Sequence, residues 1–312
     1  MSKLVSVVMP VYNAARFVES AITSLINQTY TNWELIAVDD GSTDNSHSIL
    51  QSFDDKRIKV IRKPNGGQCD ATNAGLDHIT GDYVLFFDSD DLMDKHKIEE
   101  QVKILRDHPN CVSVGRWEFF RNEIPKNLCD QRPIYLTAPP SEWLYNLWTN
   151  DTMMPNHGYL IPTNIINRAG KYYDTDILLN VDFEYFTRIV MASKSVIYCK
   201  ESICYYRKEI KTSKTYGATS VEQLSALNAR EKAIQHFLKT NNQERDRYAA
   251  RMAITILTYS YPSIRSEAKA VLSRMALGGF EKFGGRRFRN LSNLIGFENA
   301  TLIKSVLDKI KT

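Results

Sequence analysis

The chain has 312 residues, of which 43% are hydrophobic and 24% are charged, and these fractions are typical of soluble globular proteins. They exclude a disordered, a collagen-like and a disulfide-dense chain, and the length predicts two domains or one large domain with an extension. The net charge of +4 is unevenly distributed, because residues 1–212 carry −5 and residues 213–312 carry +9. We therefore expect an acidic body followed by a basic region.

Strand and helix patterns alternate over the first hundred residues. Apolar, Val-rich runs predict buried strands at residues 4–9, 33–38, 58–61 and 83–87. Helical spacing of apolar residues predicts helices at residues 16–28, 42–53 and 70–78. Strands that alternate with helices imply crossover connections, so we expect an α/β fold with a mostly parallel sheet and helices on both of its faces.

The pattern is less regular beyond residue 91. It predicts a helix at 97–108, a strand at 112–120, a surface loop at 122–140, a helix at 183–191 and one or two strands at 195–206. From residue 219 onward only helices are expected. The first of them has apolar residues at helical spacing, which are Val221, Leu224, Leu227, Ile234 and Phe237, and Asn299 is a candidate cap for the last.

Polar residues follow each of the four strands predicted in the first hundred residues. These polar segments are residues 10–13, 39–42, 64–68 and 88–91. In an open α/β sheet, ligands bind beyond the carboxyl ends of the strands. We therefore expect the functional site at this edge, where the sequence concentrates carboxylates.

The pair Asp88 and Asp90 is the most specific of these features. Two carboxylates that follow one buried strand repel each other unless a cation joins them. Hard divalent cations such as Mg²⁺ or Mn²⁺ take oxygen ligands and often bridge phosphates, so the pair predicts a metal site. A solvated acidic turn or a helix cap is the simpler interpretation of such a pair when it occurs alone.

Asp40 and Tyr12 suit a nucleoside. A carboxylate after the second strand can accept a hydrogen bond from a nucleobase, and an aromatic ring offers a flat face to a base or a ribose. Helix capping by Asp39 or Asp40, and core packing of Tyr12, are the structural alternatives. The Gly66-Gly67 pair predicts a tight turn that brings the backbone close to a ligand.

Taken together, these segments resemble the family 2 glycosyltransferases, which have the GT-A fold. The matching segments are Val5–Asn13 (VSVVMPVYN), Asn27–Tyr30 (NQTY), Trp33–Asp44 (WELIAVDDGSTD), Asn73–Leu76 (NAGL) and Gly81–Asp91 (GDYVLFFDSDD). The resemblance is dense over residues 4–95 and continues thinly to residue 210. It implies a catalytic domain at 1–212, with a nucleotide-sugar-binding half at 1–95 and an acceptor half at 96–212, followed by a helical, basic region at 213–312.

The resemblance also implies an activity and a set of site residues. The activity is inverting transfer of a sugar from a nucleotide-diphospho-sugar, a UDP-sugar by family resemblance, to a hydroxyl of a glycan or a lipid-linked saccharide in surface polysaccharide biosynthesis. Mn²⁺ or Mg²⁺ would be held by Asp88 and Asp90. The implied nucleotide-sugar site comprises Pro10, Tyr12, Asp40, Gly67, Gln68, Asp88, Ser89 and Asp90.

The resemblance places the catalytic base in the segment Asn180–Arg188, at Asp182. The family often has Glu-Asp there, whereas this chain has Val181 before Asp182, and Glu184 is a second candidate. A helix cap is the structural alternative for Asp182. A second departure is that no His follows Tyr206-Arg207, so Arg207, Lys208 and Lys211 are weak candidates for contacts with the diphosphate, and His157 for contact with the acceptor.

Two other classes of function are weighed against the transferase. A nucleotide-sugar-binding protein without turnover would explain the incomplete base motif. A nucleotidyltransferase would need a Gly-rich, basic first loop, which residues 10–14 lack.

The basic region suits an anionic membrane surface better than nucleic acid, because residues 286–289 mix cations with Phe288 and no nucleic-acid-binding module is evident. A solvated helix face or an oligomer contact are the alternatives. The five cysteines, without a C-x-x-C pair, and the lack of a signal peptide or long apolar run favour a cytoplasmic protein, with peripheral contact to the membrane as an option.

Overall fold

A computed structural model of the chain describes residues 2–150, 152–208, 218–240 and 243–280. The described residues form two compact units. The first comprises residues 2–143, 152–175 and 188–208, and the second comprises 144–150, 176–187, 218–240 and 243–280. The predicted boundary at 212/213, Lys211, residues 286–289 and the cap at Asn299 lie outside the described residues.

The first unit contains one eight-stranded sheet. Its strands are β1 (Val5–Val11), β2 (Trp33–Asp39), β3 (Ile58–Arg62), β4 (Tyr83–Phe86), β5 (Leu92–Met93), β6 (Val112–Phe120), β7 (Tyr159–Pro162) and β8 (Val196–Arg207). Their order across the sheet is β3-β2-β1-β4-β7-β6-β8-β5. The β3-β2, β2-β1, β1-β4 and β6-β8 pairs are parallel, whereas β4-β7, β7-β6 and β8-β5 are antiparallel. The predicted mostly parallel α/β sheet is confirmed.

The pairing directions bring two sets of strand ends to one edge. Because β4 and β6 are both antiparallel to β7, they run in the same direction, and β8 is parallel to β6. The carboxyl ends of β1, β2, β3, β4, β6 and β8 therefore share one edge of the sheet. The polar segments that follow the strands lie along this edge.

Ten helices occur among the described residues. They are α1 (Val18–Ile26), α2 (Ser46–Gln51), α3 (Gln68–Leu76), α4 (Lys97–Asp107), α5 (Pro140–Thr149), α6 (Thr163–Ala169), α7 (Val181–Ala192), α8 (Ser220–Thr240), α9 (Glu244–Ser260) and α10 (Arg265–Arg274). The main core of the first unit joins β1, β2 and β4 to α1 and α4, with Met9, Leu25, Leu85 and Ile98 all buried. Burial of such side chains contributes about 1.5–3 kcal/mol each, which holds the sheet and thus its polar edge in place.

Several segments differ from the sequence-based expectation. The helix predicted at 42–53 begins only at Ser46, because Asp44 accepts hydrogen bonds from the backbone N–H of Ser46 and of Ala15 and so holds a turn before α2. Strands β5 and β7 and helices α5 and α6 were not predicted. Strand β7 is four residues long and completely buried, so it has neither the length nor the alternation that identifies a strand.

The second unit, described by itself, contains α8, α9 and α10. The buried apolar face predicted on α8 is wrong at the beginning of the helix, because Val221 and Leu224 are 66% and 41% exposed. Leu227, Ile234 and Phe237 are buried as expected. The buried face of α9 combines the small residues Ala249 and Ala253 with the larger Met252, Ile254 and Leu257. No helix of the described residues has the length and apolar character needed to cross a membrane.

Candidate functional site

The loops after β1 and β2 are tied together by polar contacts. The backbone N–H of Asn13 donates to Oγ of Ser42 at 3.1 Å, and the N–H of Thr43 donates to Oδ1 of Asn13 at 2.9 Å. The N–H of Ala14 donates to Oγ of Ser46 at 2.8 Å. Asn13 has a left-handed backbone, with φ of 49°, which Asn tolerates better than most residues. These contacts fix Pro10 and Tyr12 relative to the turn that follows β2.

Asp40 organises the loop after β3. Its carboxylate is 2% exposed and accepts hydrogen bonds from the backbone N–H groups of Gly66 at 2.9 Å and Gly67 at 2.7 Å. Nζ of Lys63 donates to the same carboxylate at 2.7 Å and contacts Asp70 at 2.5 Å. Partial burial disfavours the charge on Lys63, but its bonds to Asp40 and Asp70 outweigh this and raise its pKa. Asp40 therefore shapes the Gly66-Gly67 turn, in addition to its predicted role at a nucleobase.

Two glycines provide backbone conformations that these loops need. Gly41 has φ of 73°, and a Cβ there would lie 2.9 Å from the backbone nitrogen of Asn65. Gly67 has φ of 89° and directly precedes α3. Both conformations are strained for residues with a side chain. The Gly66-Gly67 turn predicted from the sequence thus lies at the amino end of α3.

Asp39 is a structural carboxylate. It is buried, and its Oδ1 accepts a hydrogen bond from the backbone N–H of Ser42 at 2.9 Å. Its Oδ2 lies 3.1 Å from Nδ1 of His47 and 3.3 Å from Nε of Arg62. Asp39 therefore holds the turn before α2, whereas Asp40 faces the loop after β3. The two adjacent carboxylates have different partners and different functions in the fold.

Asp88 is held by two neutral amides. Nε2 of Gln68 lies 3.4 Å from its Oδ1, and Nδ2 of Asn156 donates to its Oδ2 at 3.2 Å. Asp88, Ser89 and Asp90 are all partly exposed. Their carboxylate and hydroxyl oxygens are hard ligands, and these residues fit a divalent metal that takes one or two carboxylates together with the phosphates of a ligand. No group of three or more His, Cys, Asp or Glu side chains in the described ranges could hold a metal ion.

Asp90 and Asp91 are held by Arg207 at the end of β8. Nε of Arg207 donates to the carbonyl oxygen of Asp90 at 2.6 Å, and its backbone N–H donates to Oδ1 of Asp91 at 2.7 Å. The guanidinium lies between the rings of Phe17 and Phe120, with centroid distances of 4.6 and 4.3 Å. Arg207, a weak candidate for the diphosphate, is thus found to fix the main chain of the acidic segment.

Asp91 and His157 form a buried pair behind this segment. Oδ2 of Asp91 lies 3.1 Å from Nδ1 of His157, and both side chains are almost completely inaccessible to solvent. Burial, and then the charge of Asp90, raise the pKa of Asp91 well above its ordinary value, although the N–H of Arg207 opposes this. His157 packs at 5.9 Å from the ring of Phe87. Its buried position supports a structural function, and contact with an acceptor remains a prediction.

Hydrogen bonds connect the residues that were predicted to bind the nucleotide-sugar into one row. Asp40 follows β2 and bonds to Gly67, Gln68 comes next in the chain, and Gln68 contacts Asp88 after β4. The backbone N–H of Asp40 also donates to the carbonyl of Val11, beside Pro10 and Tyr12, at 2.8 Å. Tyr12 is 52% exposed, so its ring is not a core residue. The sheet edge therefore presents these groups side by side.

Asp182, the predicted base, belongs to the second unit. Helix α7 begins at Val181, so Asp182 and Glu184 both lie in its first turn, and Asp182 is not the cap. The next residue, Phe183, stacks on Trp148 at 5.2 Å and lies under the guanidinium of Arg230 at 4.1 Å. These contacts fix the beginning of α7 within its unit. Glu184 is 6% exposed, whereas Asp182 is partly exposed.

Four contributors to the site were not recognised from the sequence as positioning groups: Lys63, Asn156, His157 and Arg207. Lys63 follows β3 immediately, so its contact with Asp40 could have been expected from strand order. Asn156 and His157 lie in a short 3₁₀ turn before β7, which was not predicted. The partners of Arg207 are 116 and 117 residues away in sequence, and no local pattern indicates such a contact.

Comparison with known sequences gives a consistent result. Residues 6–173 match the family described as glycosyl transferase family 2. An uncharacterized glycosyltransferase of Haemophilus influenzae is 41% identical over 213 residues, which are 65% of this chain and 79% of that protein. The Escherichia coli protein named UDP-Glc:alpha-D-GlcNAc-diphosphoundecaprenol beta-1,3-glucosyltransferase WfgD is 36% identical over 120 residues, which are 38% of this chain and 47% of that protein.

Solved structures with the same fold are more distant in sequence. TarS 1-349 of S. aureus in complex with UDP-GlcNAc aligns with a TM-score of 0.59 at 17% identity, covering 95% of this chain and 90% of that one. The mannosyltransferase PcManGT of Pyrobaculum calidifontis, in complex with GDP-Man and Mn²⁺, aligns with a TM-score of 0.57 at 18% identity, covering 99% and 88%. These two likenesses show the fold and confirm the GT-A-type architecture. The sequence match extends over more than half of the chain, and the protein belongs to glycosyl transferase family 2.

Proposed function

We propose that the protein is an inverting, metal-dependent glycosyltransferase of surface polysaccharide biosynthesis. It takes a sugar from a nucleotide-diphospho-sugar, a UDP-sugar in the first instance, and transfers it to a hydroxyl of a glycan or a lipid-linked saccharide. The row of contacts from Asp40 through Gly67 and Gln68 to Asp88 carries the proposal. The donors in the names and titles of the similar proteins, UDP-Glc, UDP-GlcNAc and GDP-Man, support a nucleotide-sugar.

In this proposal the donor lies along the carboxyl edge of the sheet. The exposed ring of Tyr12 and the loop fixed by Asp40 receive the nucleoside, with Pro10 beside them. The backbone of Gly67 and the side chain of Gln68 face the diphosphate. Asp88 and Asp90, with Ser89 between them, would hold Mn²⁺ or Mg²⁺. When bound, such an ion stabilises the charge that develops on the leaving diphosphate.

Transfer also requires a base. An acceptor hydroxyl has a pKa far above neutral, so a carboxylate must take its proton as the new C–O bond forms at the anomeric carbon. Direct displacement at this carbon inverts its configuration, and the transition state resembles the oxocarbenium ion of glycoside cleavage. We assign the base to Asp182, because it lies in the first turn of α7 at the position that the family motif predicts. Glu184 is the alternative.

A panel of donors tests the proposal. Release of nucleoside diphosphate is measured from UDP-Glc, UDP-GlcNAc and GDP-Man with a lipid-linked GlcNAc acceptor, with and without Mn²⁺. We expect release from one donor, dependent on the divalent ion. Asp182→Asn should lower transfer at least about 100-fold and keep donor binding, because removal of a general base costs about 10²–10⁴-fold. Glu184→Gln is the matched control.

The outcomes separate the two remaining classes of function. If donors bind and none is turned over in the presence of any acceptor, the protein is a nucleotide-sugar-binding protein. Val181 in place of the family's usual Glu is the observation that favours this second candidate. If Glu184→Gln abolishes transfer and Asp182→Asn does not, the base is Glu184.

We also propose that the basic region at 213–312 contacts an anionic membrane surface at the cytoplasmic face. Its net charge of +9 and the cations at residues 286–289 support this. Charge reversal of Arg286, Arg287 and Arg289 to Glu in the full chain should abolish sedimentation with vesicles that contain anionic lipid. Unchanged sedimentation would contradict the proposal.

A further inference from the structure

Asn73, in the middle of α3, binds the main chain of a residue 100 positions away. Its Oδ1 accepts a hydrogen bond from the backbone N–H of Tyr173 at 2.8 Å, and its Nδ2 donates to the backbone carbonyl of the same residue at 3.0 Å. The ring of Tyr173 is buried and packs edge-on against Phe86 of β4, with ring centroids 5.8 Å apart. A side-chain amide has a donor and an acceptor, so Asn73 satisfies both backbone groups, which neither a carboxylate nor an apolar side chain can do.

A second side chain binds the same part of the chain, which we call the linking segment and define as residues 169–173. Nη1 of Arg188, in α7, donates to the carbonyls of Ala169 at 2.7 Å and Gly170 at 2.8 Å, and its Nη2 donates to that of Tyr172 at 3.0 Å. Gly170 has φ of 88°, and a Cβ there would lie 3.0 Å from Nη1, so a glycine suits this approach. The planar guanidinium matches three carbonyls of one turn, and a lysine could not bind them all in the same way.

Helices α3 and α7 are thus joined through the linking segment. Asn73, Tyr173 and Arg188 all belong to the first unit, so these contacts lie within it. Helix α3 is also part of the proposed donor site, because Gln68, its first residue, contacts Asp88. The same helix therefore contacts the acidic segment at its beginning and the linking segment further along.

Helix α7 carries the proposed base. It continues from Val181 to Ala192, so Asp182 and Arg188 lie on one helix, about 9 Å apart along its axis. A displacement of the helix at Arg188 is therefore passed on to its first turn. A misplacement of a catalytic group by about 1 Å can lower the rate of a reaction about 100-fold, even when its cause is far from the reacting atoms.

We infer that Asn73 and Arg188 are positioning residues of the transfer reaction, which set the place of the base in the first turn of α7. Each acts through the main chain of the linking segment and not by contact with a substrate. The inference rests on the proposed function. It gives a task to Asn73, which lies outside the proposed nucleotide-sugar site. Loss of either side chain should slow transfer and leave binding of the donor intact.

Kinetics and binding of two variants of the full chain test this inference. Asn73→Ala removes both bonds to Tyr173, and Arg188→Met removes the three bonds to the linking segment. Transfer to a lipid-linked GlcNAc acceptor is measured from UDP-Glc, UDP-GlcNAc and GDP-Man, and the affinity for UDP in Mn²⁺ is measured by calorimetry. In each variant kcat should fall at least about tenfold, whereas the affinity for UDP should stay within about twofold of that of the unaltered protein.

A double variant shows whether the two side chains act through one segment. Its kcat should lie no more than about twofold below that of the slower single variant, because effects that share a partner are not additive. Amide hydrogen exchange gives a readout other than activity: exchange in the linking segment should be faster in Asn73→Ala, which frees the N–H of Tyr173.

Conservative and control variants keep the test independent of folding. Asn73→Asp keeps the acceptor and loses the donor, Arg188→Lys keeps the charge and part of the bonds, and both should show the same loss of kcat to a smaller extent. Gln51→Ala and Arg106→Met are the matched controls. They alter an exposed amide on α2 and an exposed guanidinium on α4, and they should leave kcat and the affinity for UDP unchanged.

The outcomes separate this inference from the proposed function. If the unaltered protein transfers a sugar and either single variant keeps its kcat, the inference is wrong and the proposed function stands. A parallel loss of kcat and of affinity for UDP would also overturn it, because the two residues would then support the donor loops. Independent, multiplying losses in the double variant would contradict a shared segment. If the unaltered protein transfers no sugar, the proposed function fails and the inference fails with it.

Discussion

Two groups of segments share one edge of the sheet and are built in different ways. The first group is the loops that follow β1, β2, β3 and β4, and the second is the ends of β6 and β8. The first group is held by short polar bonds between neighbouring loops, such as those that Asp40 accepts from Gly66 and Gly67. The second group is held by cations packed on aromatic rings, such as Arg207 between Phe17 and Phe120.

The two groups offer different kinds of contact to a ligand. A nucleotide-sugar is a polar, charged ligand, and its diphosphate can lie beside carboxylates when a divalent ion joins them. An acceptor saccharide also has apolar C–H faces, which suit exposed aromatic rings. Function and stability of the polar loops, which follow β1 to β4, should therefore be sensitive to the loss of single charges. Those of the aromatic ends, which are the ends of β6 and β8, should be sensitive to the loss of ring contacts.

The largest effect is expected from a change in the polar loops that removes a proposed metal ligand. Asp90→Asn should reduce the rate of transfer about 10³-fold, because loss of one group that stabilises transition-state charge costs about 3–4 kcal/mol. Asp54→Asn, which alters an exposed carboxylate before β3, should leave the rate unchanged. Steady-state kinetics with saturating donor check this, and equal rates for the two variants would contradict the assignment of Asp90.

The next largest effect concerns the stability of the polar loops. Asp40→Ala should lower the free energy of unfolding by about 2–4 kcal/mol, because it leaves Lys63 and two backbone N–H groups without their buried acceptor. Asp40→Asn keeps the shape of the side chain and should lower the free energy of unfolding by less. Urea unfolding measures both values. A loss below about 0.5 kcal/mol for Asp40→Ala would show that the loop is held by other contacts.

A third prediction concerns a buried cation beneath the second group of strands. Lys97 is fully buried, and Nζ lies 3.4 Å from the carbonyl of Tyr159. Burial lowers the pKa of Lys97 from 10.5 to about 7. Because the folded pKa lies below the unfolded one, the unfolded chain binds more protons between pH 7 and 10.5, and stability due to this group rises with pH across this window.

Replacement of this lysine separates its effect from that of the other titrating groups. Lys97→Met should be more stable than the unaltered protein at pH 7, and its advantage should shrink by about 2 kcal/mol between pH 7 and pH 9. Urea unfolding at several pH values measures the difference. A constant difference in the free energy of unfolding across this pH range would contradict a buried lysine with a lowered pKa.

The smallest effect is expected from Arg207. Arg207→Lys keeps the charge but loses the planar contacts with Phe17 and Phe120, and a lysine cannot bond to the carbonyls of Asp90 and Arg121 in the same way. Affinity for Mn²⁺ in the presence of UDP should fall about tenfold, as for other groups that orient metal ligands. Tryptophan fluorescence or calorimetry measures it. An unchanged affinity would show that the segment keeps its position without Arg207.

The polar loops could be predicted well from the sequence, because their chemistry is local. An apolar run followed by Asp39-Asp40 or by Asp88-Ser89-Asp90 indicates both a buried strand and the polar segment at its end. Element types were right for β1 to β4 and for α1 and α3. The start of α2 was wrong because the side chain of Asp44 competes for the backbone, which propensity does not reveal.

The aromatic ends could not be predicted in the same way, because their contacts join distant parts of the chain. Phe119 and Tyr206 are neighbours only through the register of β6 with β8, which includes a shift between Gly115 and Arg116. Similarly, the buried β7 that aligns β4 with β6 is too short to be recognised. Val221 and Leu224 were predicted to be buried because of their helical spacing, but both are exposed.

The proposed function requires that the carboxylates after β4 bind an activated sugar through a divalent ion, beside the loop that Asp40 holds. Calorimetric titration of the full chain with UDP, in Mn²⁺ and in EDTA, for the unaltered protein and for Asp88→Asn, tests it most directly. We expect tight binding of UDP only by the unaltered protein in Mn²⁺, and either EDTA or Asp88→Asn should weaken it at least about tenfold. Equal affinity in all four titrations would contradict it.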